Sequence, residues 1–347
     1  MGLLRILLWL GYALLASATF MAIAACVGLM MLELRDAGMM LSLAILSGLV
    51  GALMLTSSFR TASRESASGA ILFLILFWSV VPLICALPFY VLGGTTSIWT
   101  ALFEGISTMT TTGASTLNPE NLSDTLLFWR SLLQFFGGVS AATFAVVILA
   151  ALNLTGTGIH RSGLFTFRTG ELFPKMIRIG RLVGAIYLFL ALVAFVLMVM
   201  AGTDAFVALC LALSGISTGG LQPFIGPVSN VLNPFSAVIL ALLCLFGAFN
   251  VSILWDFLRI RRFRQFLKLM VHVEHRGLLG IAAALIILTV IFADLSSLGS
   301  AILDSVFFAS SAGYRYDVIS VDMIPAPVLI AVALIGGSAL STAGGIK

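Results

Sequence analysis

Charge is the scarcest property of this sequence. Asp, Glu, Lys and Arg make up 9% of its 347 residues against 61% hydrophobic ones, and the mean hydropathy is +1.16. That balance excludes a soluble globular domain, in which about a quarter of the residues are charged. Histidine is nearly missing: His160, His272 and His275 stand beside basic stretches, outside the apolar runs. Apart from Lys347 at the end of the last run, no lysine or histidine lies within an apolar run, and no Walker-type phosphate loop is present. An intramembrane enzyme would need such a base beside its nucleophile, so the chain reads as a non-enzyme without a cofactor. His272, Glu274 and His275 read as a solvated cluster next to a membrane. The four cysteines, Cys26, Cys85, Cys210 and Cys244, all sit in apolar stretches. They match no metal spacing and no disulfide framework, and read as small core residues.

Long apolar runs are abundant. They cover residues 7–31, 39–56, 70–92, 126–152, 182–200, 231–254, 278–292 and 325 onward. Crossing a bilayer takes roughly 20 apolar residues as a helix. Lipid offers no partner for backbone N–H and C=O groups, so helices are the expected form. The expectation is an all-α, multi-pass integral membrane protein of about eight spans. The first run is flanked only by Arg5 and is too long for a cleaved leader, so it is expected to stay as a span.

The net charge of +4 is a matter of sidedness. Alternating the loops puts Arg60, Arg64, Arg161, Arg168, Lys175, Arg178, Arg181, Arg259, Arg261, Arg262, Arg264, Lys268, Arg276 and Lys347 on one side. Arg35, Arg130 and Arg315 fall on the other, together with acids that include Glu33, Glu104, Asp204, Asp304, Asp317 and Asp322. By the positive-inside rule the basic side is cytoplasmic. This points to the bacterial inner membrane, with the lipid bilayer rather than nucleic acid as the partner.

A unit repeats along the chain. A long apolar run is followed by a short apolar segment, a cluster of small polar residues and another run. The clusters are Thr110-Thr111-Thr112-Gly113-Ala114, Ser217-Thr218-Gly219-Gly220-Leu221 and Ser310-Ser311-Ala312-Gly313-Tyr314. The segments before them, 98–109, 205–216 and 301–309, are too short to span and suit re-entrant half-helices. The units are placed at 61–160, 161–264 and 265–347, after two N-terminal helices in 1–60. One such cluster is more often a packing face than a site; recurrence after a sub-spanning segment reverses that reading. Non-helical backbone at membrane depth is tolerated where it lines a watery path, and inward carbonyls and hydroxyls replace the hydration shell of a bare cation.

On these residues the chain resembles the TrkH/KtrB superfamily of potassium transporters. The first cluster, the run Phe128-Trp129-Arg130-Ser131-Leu132-Leu133-Gln134-Phe135-Phe136-Gly137-Gly138, and the stretches Leu76-Phe77-Trp78 and Ala86-Leu87-Pro88 are similar to that family's first unit. The final Gly336-Gly337-Ser338-Ala339-Leu340-Ser341-Thr342-Ala343-Gly344-Gly345 is similar to its intramembrane gating loop. The resemblance implies four potassium-channel-like filter repeats around one pore, a homodimer, and a cytoplasmic nucleotide-binding regulatory subunit of the TrkA/KtrA type. It implies that Thr111, Thr112, Gly113, Thr218, Gly219, Gly220, Ser311, Ala312 and Gly313 coordinate potassium, which is the substrate. Gly336, Gly337, Ser338, Ser341, Thr342, Gly344 and Gly345 would form the gate.

Three differences from the family pattern are visible: Arg315 two residues after Gly313, Leu340 in the gating loop, and Ser140 after Gly137-Gly138. Arg315 would repel a cation unless Asp317 or Asp322 neutralises it. Lys347 falls inside the last helix of the third unit, so the fourth repeat is absent; the expectation is a truncated chain, the other readings being completion by another polypeptide or loss of conduction. The alternative is a truncated or divergent non-conducting subunit with a structural or regulatory role.

Overall fold

The structure, a computed structural model, describes residues 3–58, 67–95, 97–151, 172–251, 273–292, 298–317, 326–338 and 340–345. Among them all regular structure is helical. The chain opens with a hairpin of α1 (Leu3–Met30) and α2 (Leu34–Ser58). Small residues bring these two helices together, as expected where no hydrophobic effect drives association. A Cβ on Gly11 would stand 2.8 Å from the Gly51 carbonyl oxygen, and one on Gly51 2.9 Å from that of Gly11. Ser17 and Ser47 hydroxyls meet at 3.1 Å, so the pairing is antiparallel.

The hairpin is fixed to the rest of the fold by its turn. Glu33 accepts hydrogen bonds from the backbone N–H groups of Asp124 (2.9 Å) and Thr125 (2.8 Å) and from the Thr125 hydroxyl (2.5 Å). Those are orphan donors at the start of α6 (Asp124–Ala151), where a carboxylate also meets the positive end of the helix dipole. Read from sequence as an outer-face charge, Glu33 is a cap supplied from 91 residues away. Glu33→Ala is expected to lower stability by about 1–2 kcal/mol. Thermal unfolding in detergent checks this, and an unchanged midpoint would rule out the cap.

The next apolar run is bent. Pro82 lies inside α3 (Ala67–Cys85), and the chain turns at Ala86 into α4 (Leu87–Leu92). The Cys85 carbonyl freed by this bend accepts the Trp129 indole N–H at 3.3 Å. Three more groups follow: α5 (Ile98–Met109) before α6; then α7 (Leu172–Met200), α8 (Ala205–Ile216) and α9 (Pro234–Ala248); then α10 (Val273–Phe292), α11 (Leu298–Ala309) and α12 (Ala326–Ile335).

Five described segments are long and apolar enough to cross a membrane, by length and composition: Leu4–Met30, Leu34–Thr56, Gly69–Leu92, Asp124–Val147 and Pro174–Met200. Helices α9, α10 and α12 occupy the other three apolar runs. Of the five, α6 is the axis of the packing: 83% of its apolar window is buried, against 22–39% for the others. It touches α1, α5, α7 and α8. The run expected from residue 325 onward does not continue as one helix; it leaves helical geometry after Ile335. On the basic face, Lys175, Arg178, Arg181 and Arg276 are in the described part. Arg60, Arg64, Arg161, Arg168, the five basic residues between 259 and 268, and Lys347 lie outside it, as do His160, His272, Asp322 and Ala339.

Candidate functional site

Three short helices end in similar ways, the third with its long bond from Gly313 N–H to the Phe307 carbonyl. Helices α5, α8 and α11 are each 12 residues long and stop four residues before Gly113, Gly220 and Gly313. The third begins at Leu298, three residues earlier than the sequence indicated. Asp204 caps α8 by accepting from Phe206 N–H (2.9 Å) and Val207 N–H (3.1 Å); Ser97 caps α5. At the other end, Thr111 N–H donates to the Thr108 carbonyl and Thr112 N–H to that of Ser107. Thr218 N–H and Gly219 N–H do the same to Gly215 and Ser214. This is the two-bond termination that normally places glycine in the left-handed position.

Here that position is held by Thr111 (φ 56°), Thr218 (φ 51°) and Ser311 (φ 58°). A left-handed conformation costs a residue with a Cβ roughly 1–2 kcal/mol, more for a β-branched one. Leu32 (φ 63°) ends α1 with the same pair of bonds, so the strain is not unique to the loops; what sets the three loops apart is that the residue there is a hydroxyl each time. Two residues further on, Gly113, Gly220 and Gly313 are again left-handed, at φ 75°, 74° and 72°.

The described loops touch in sequence. A Cβ on Gly113 would lie 2.4 Å from the Gly219 carbonyl oxygen, and one on Gly220 would lie 2.0 Å from that of Ala312. The first and second loops therefore each rest their glycine on the carbonyl just before the next loop's glycine. Gly313 has no described neighbour within 4 Å of that position. All three glycines line one recess of about 450 Å³, shared with Arg130, Tyr314 and Arg315. A second cavity, about 700 Å³ and mostly apolar, lies between α1, α3, α6 and α7 and includes none of these glycines.

Spans behind the loops make them possible. The carbonyl of Met109, last in α5, would be 1.7 Å from a Cβ on Gly137; that of Ile216, last in α8, would be 2.2 Å from one on Gly247. The Gln134 amide donates to the Gly219 carbonyl at 2.7 Å. Tyr314, fully buried, donates its hydroxyl to Ser214 at 2.7 Å and so ties the third loop to the second short helix. Arg130 is buried at the recess, with Nε and Nη1 lacking hydrogen-bond partners among the described residues.

Directly against the loops lies the chain after α12. Gly337 N–H donates to the Gly344 carbonyl, so residues 336–345 close on themselves. Ser338 N–H and Thr342 N–H donate to the Ala248 and Gly247 carbonyls, and Val251 N–H donates to that of Leu340. The Thr342 hydroxyl reaches the Gly247 carbonyl (3.0 Å) and that of Ile216 (3.3 Å), and lies 3.4 Å from the Thr218 hydroxyl. Gly344 N–H donates to the Ser311 hydroxyl at 2.7 Å. The small residues singled out in the sequence as a gate are thus brought against the second and third loops. Leu340 is fully buried and Ser140 bonds back to the Phe136 carbonyl at 2.8 Å.

A family model described as "TrkH: Cation transport protein" matches residues 40–347. The chain belongs to the TrkH family. Its members are transporters rather than enzymes. Among curated relatives, the Trk system potassium uptake protein TrkH of Salmonella typhimurium is 28% identical over 310 residues, covering 86% of this chain and 64% of the relative. The protein of the same name from Escherichia coli K12 is 29% identical over 288 residues, covering 80% and 59%. The chain therefore spans about three fifths of the length of the curated relatives it matches. In fold it is similar to the crystal structure of the potassium transporter TrkH from Vibrio parahaemolyticus, with a TM-score of 0.79 at 23% identity, covering 99% of this chain and 72% of that one.

In this TrkH-family chain the sequence drew attention to the loops and missed what holds them. Gln134 was visible only as one letter of a longer run. Glu104 and Asp304 were counted as charges of the outer face, yet both are fully buried beside the loops.

Proposed function

We propose that the chain is the pore-forming subunit of a Trk/Ktr-type potassium uptake system in a bacterial inner membrane. The observation that carries this reading is the threefold recurrence of a strained hydroxyl residue followed by a left-handed glycine, at loops whose backbones touch in order. In this reading Thr111, Thr112 and Gly113, Thr218, Gly219 and Gly220, and Ser311, Ala312 and Gly313 coordinate a dehydrated potassium ion through carbonyls and hydroxyls. The C-terminal, negative ends of α5, α8 and α11 face the same centre. Residues 61–160, 161–264 and 265–347 are the three pore units, and a further loop closes the ring at Gly313. Entry of one positive charge gains about 2.3 kcal/mol per 100 mV of membrane potential, which concentrates potassium without chemistry in this subunit.

Gly336, Gly337, Ser338, Ser341, Thr342, Gly344 and Gly345 then act as a gate lying under the filter. A homodimer and a cytoplasmic nucleotide-binding subunit of the TrkA/KtrA type are proposed on the family resemblance. Arg130 and Arg315 beside the recess favour a second reading, a non-conducting regulatory subunit.

Rubidium uptake into proteoliposomes, with the protein expressed from its complete reading frame, separates the two. The first reading predicts uptake that potassium competes away and sodium barely affects. It also predicts that Thr218→Gly keeps the protein stable, because the strain is relieved, while sodium becomes an effective competitor. A stable, well-inserted protein with no uptake would establish the second reading.

A further inference from the structure

Two of the three short helices carry a fully buried carboxylate nine residues before the loop glycine: Glu104 on α5 and Asp304 on α11. A buried carboxylate is tolerated only where donors surround it. Glu104 accepts from Thr116 N–H (2.6 Å), Leu117 N–H (3.2 Å), and the hydroxyls of Ser115 and Thr116 (3.0 Å each). Asp304 accepts from Tyr316 N–H and from Asp317 N–H (3.4 Å). In both repeats the backbone donors are the third and fourth residues after the glycine. The acid on the short helix thus grips the strand that leaves the loop and spans the loop like a strut.

The second repeat departs at both ends of this contact. The residue nine before Gly220 is Leu211, fully buried, and the third residue after it is Pro223. Proline has no N–H to offer. A carboxylate at 211 would lose its principal donor, and an apolar side chain stands there instead. That loop is held from the other side, by the Gln134 amide on the Gly219 carbonyl. The acid and its first backbone donor are thus present together in two repeats and absent together in the third, where only the N–H of Phe224 remains.

We propose that Glu104 and Asp304 are positioning residues. They touch no ion, but by clamping the outgoing strand they fix the distance between the loop carbonyls and so set ion discrimination. This inference rests on the reading of the loops as a filter. The outgoing strand of the third loop is held on its other edge as well, its Arg315 and Tyr316 carbonyls accepting from Val228 N–H (2.7 Å) and Ser229 N–H (3.2 Å). Loss of the strut should therefore be felt more at Glu104 than at Asp304.

The test measures competition between sodium and potassium for rubidium uptake by the transporter purified from its native membrane and reconstituted. Glu104→Gln is expected to reduce potassium-over-sodium discrimination about tenfold, the worth of one charge-assisted hydrogen bond. Asp304→Asn should reduce it less. Thr116→Val, which removes one hydroxyl donor and keeps the N–H, should shift it in the same direction without loss of folding. Leu211→Glu alone should impair uptake, and Leu211→Glu with Pro223→Thr should recover it, because the second change restores the donor. Unchanged discrimination in Glu104→Gln and Thr116→Val, while Gly220→Ala destroys it, would overturn the strut and leave the filter reading intact. Unchanged discrimination in Gly220→Ala as well would place the fault in the filter reading itself.

Discussion

Gly220→Ala is expected to cut rubidium uptake about a hundredfold, a change that corresponds to about 2.7 kcal/mol. The new Cβ would lie 2.0 Å from the Ala312 carbonyl oxygen, so the second and third loops must part by about 1.4 Å to reach ordinary contact at 3.4 Å. Overpacking of this kind costs about 1–3 kcal/mol, and the left-handed φ of 74° adds about 1–2 kcal/mol. The clash displaces the Ala312 carbonyl and the strain falls on residue 220, both proposed to face the ion, so conduction is lost together with stability. Gly113→Ala, at 2.4 Å from the Gly219 carbonyl oxygen, should follow closely. Gly313→Ala meets no described atom within 4 Å and should cost this chain's own stability the least of the three. Thermal unfolding gives that order. If a further loop closes the ring, uptake by the complete transporter should nevertheless fail in all three. Normal, selective uptake in Gly220→Ala would remove that residue from the path.

Weakening the loop at residues 336–345 should act in the opposite direction. Thr342→Val keeps the shape of the side chain and removes a hydroxyl that bonds the Gly247 and Ile216 carbonyls. A net loss of about 1–1.5 kcal/mol from the closed arrangement raises a small open population roughly five- to tenfold. Basal uptake without any activating ligand should rise by that factor. Competition by sodium should change far less than uptake, because the substitution removes only a long contact to the Thr218 hydroxyl (3.4 Å) and leaves the loop backbone in place. No increase, with the variant stable, would show that residues 336–345 do not obstruct the path.

Much of this arrangement was legible in the residues themselves. Three clusters of small polar residues, each after an apolar segment too short to span, gave the loops and the lengths of α5 and α8 to the residue. Period and composition carry that signal locally. The start of α11 lies three residues before the apolar segment read from the sequence, because Leu298 and Gly299 are exposed and extend the helix without adding to its buried face. The long run after residue 325 reads as a span on hydropathy, yet glycines at 336 and 337 let it break and fold back on Gly344.

Contacts across long separations were not legible. Glu33 and Glu104 are ordinary outer-face acids in the sequence. Only the folded chain brings Glu33 to the start of α6, and returns residues 115–117 to Glu104. The same holds for Gln134, whose partner Gly219 lies 85 residues on. Pro223, unremarked as a loop proline, gains meaning once the strut in the other two repeats is seen.

The most direct measurement is a structure of the complete transporter in rubidium or thallium, with the ions located by their anomalous scattering. Three loops around one path predict peaks on a single axis, within coordination distance of the carbonyl oxygens of residues 111–113, 218–220 and 311–313. Ion peaks elsewhere, or three loops parted with lipid-facing side chains between them, would contradict a shared path.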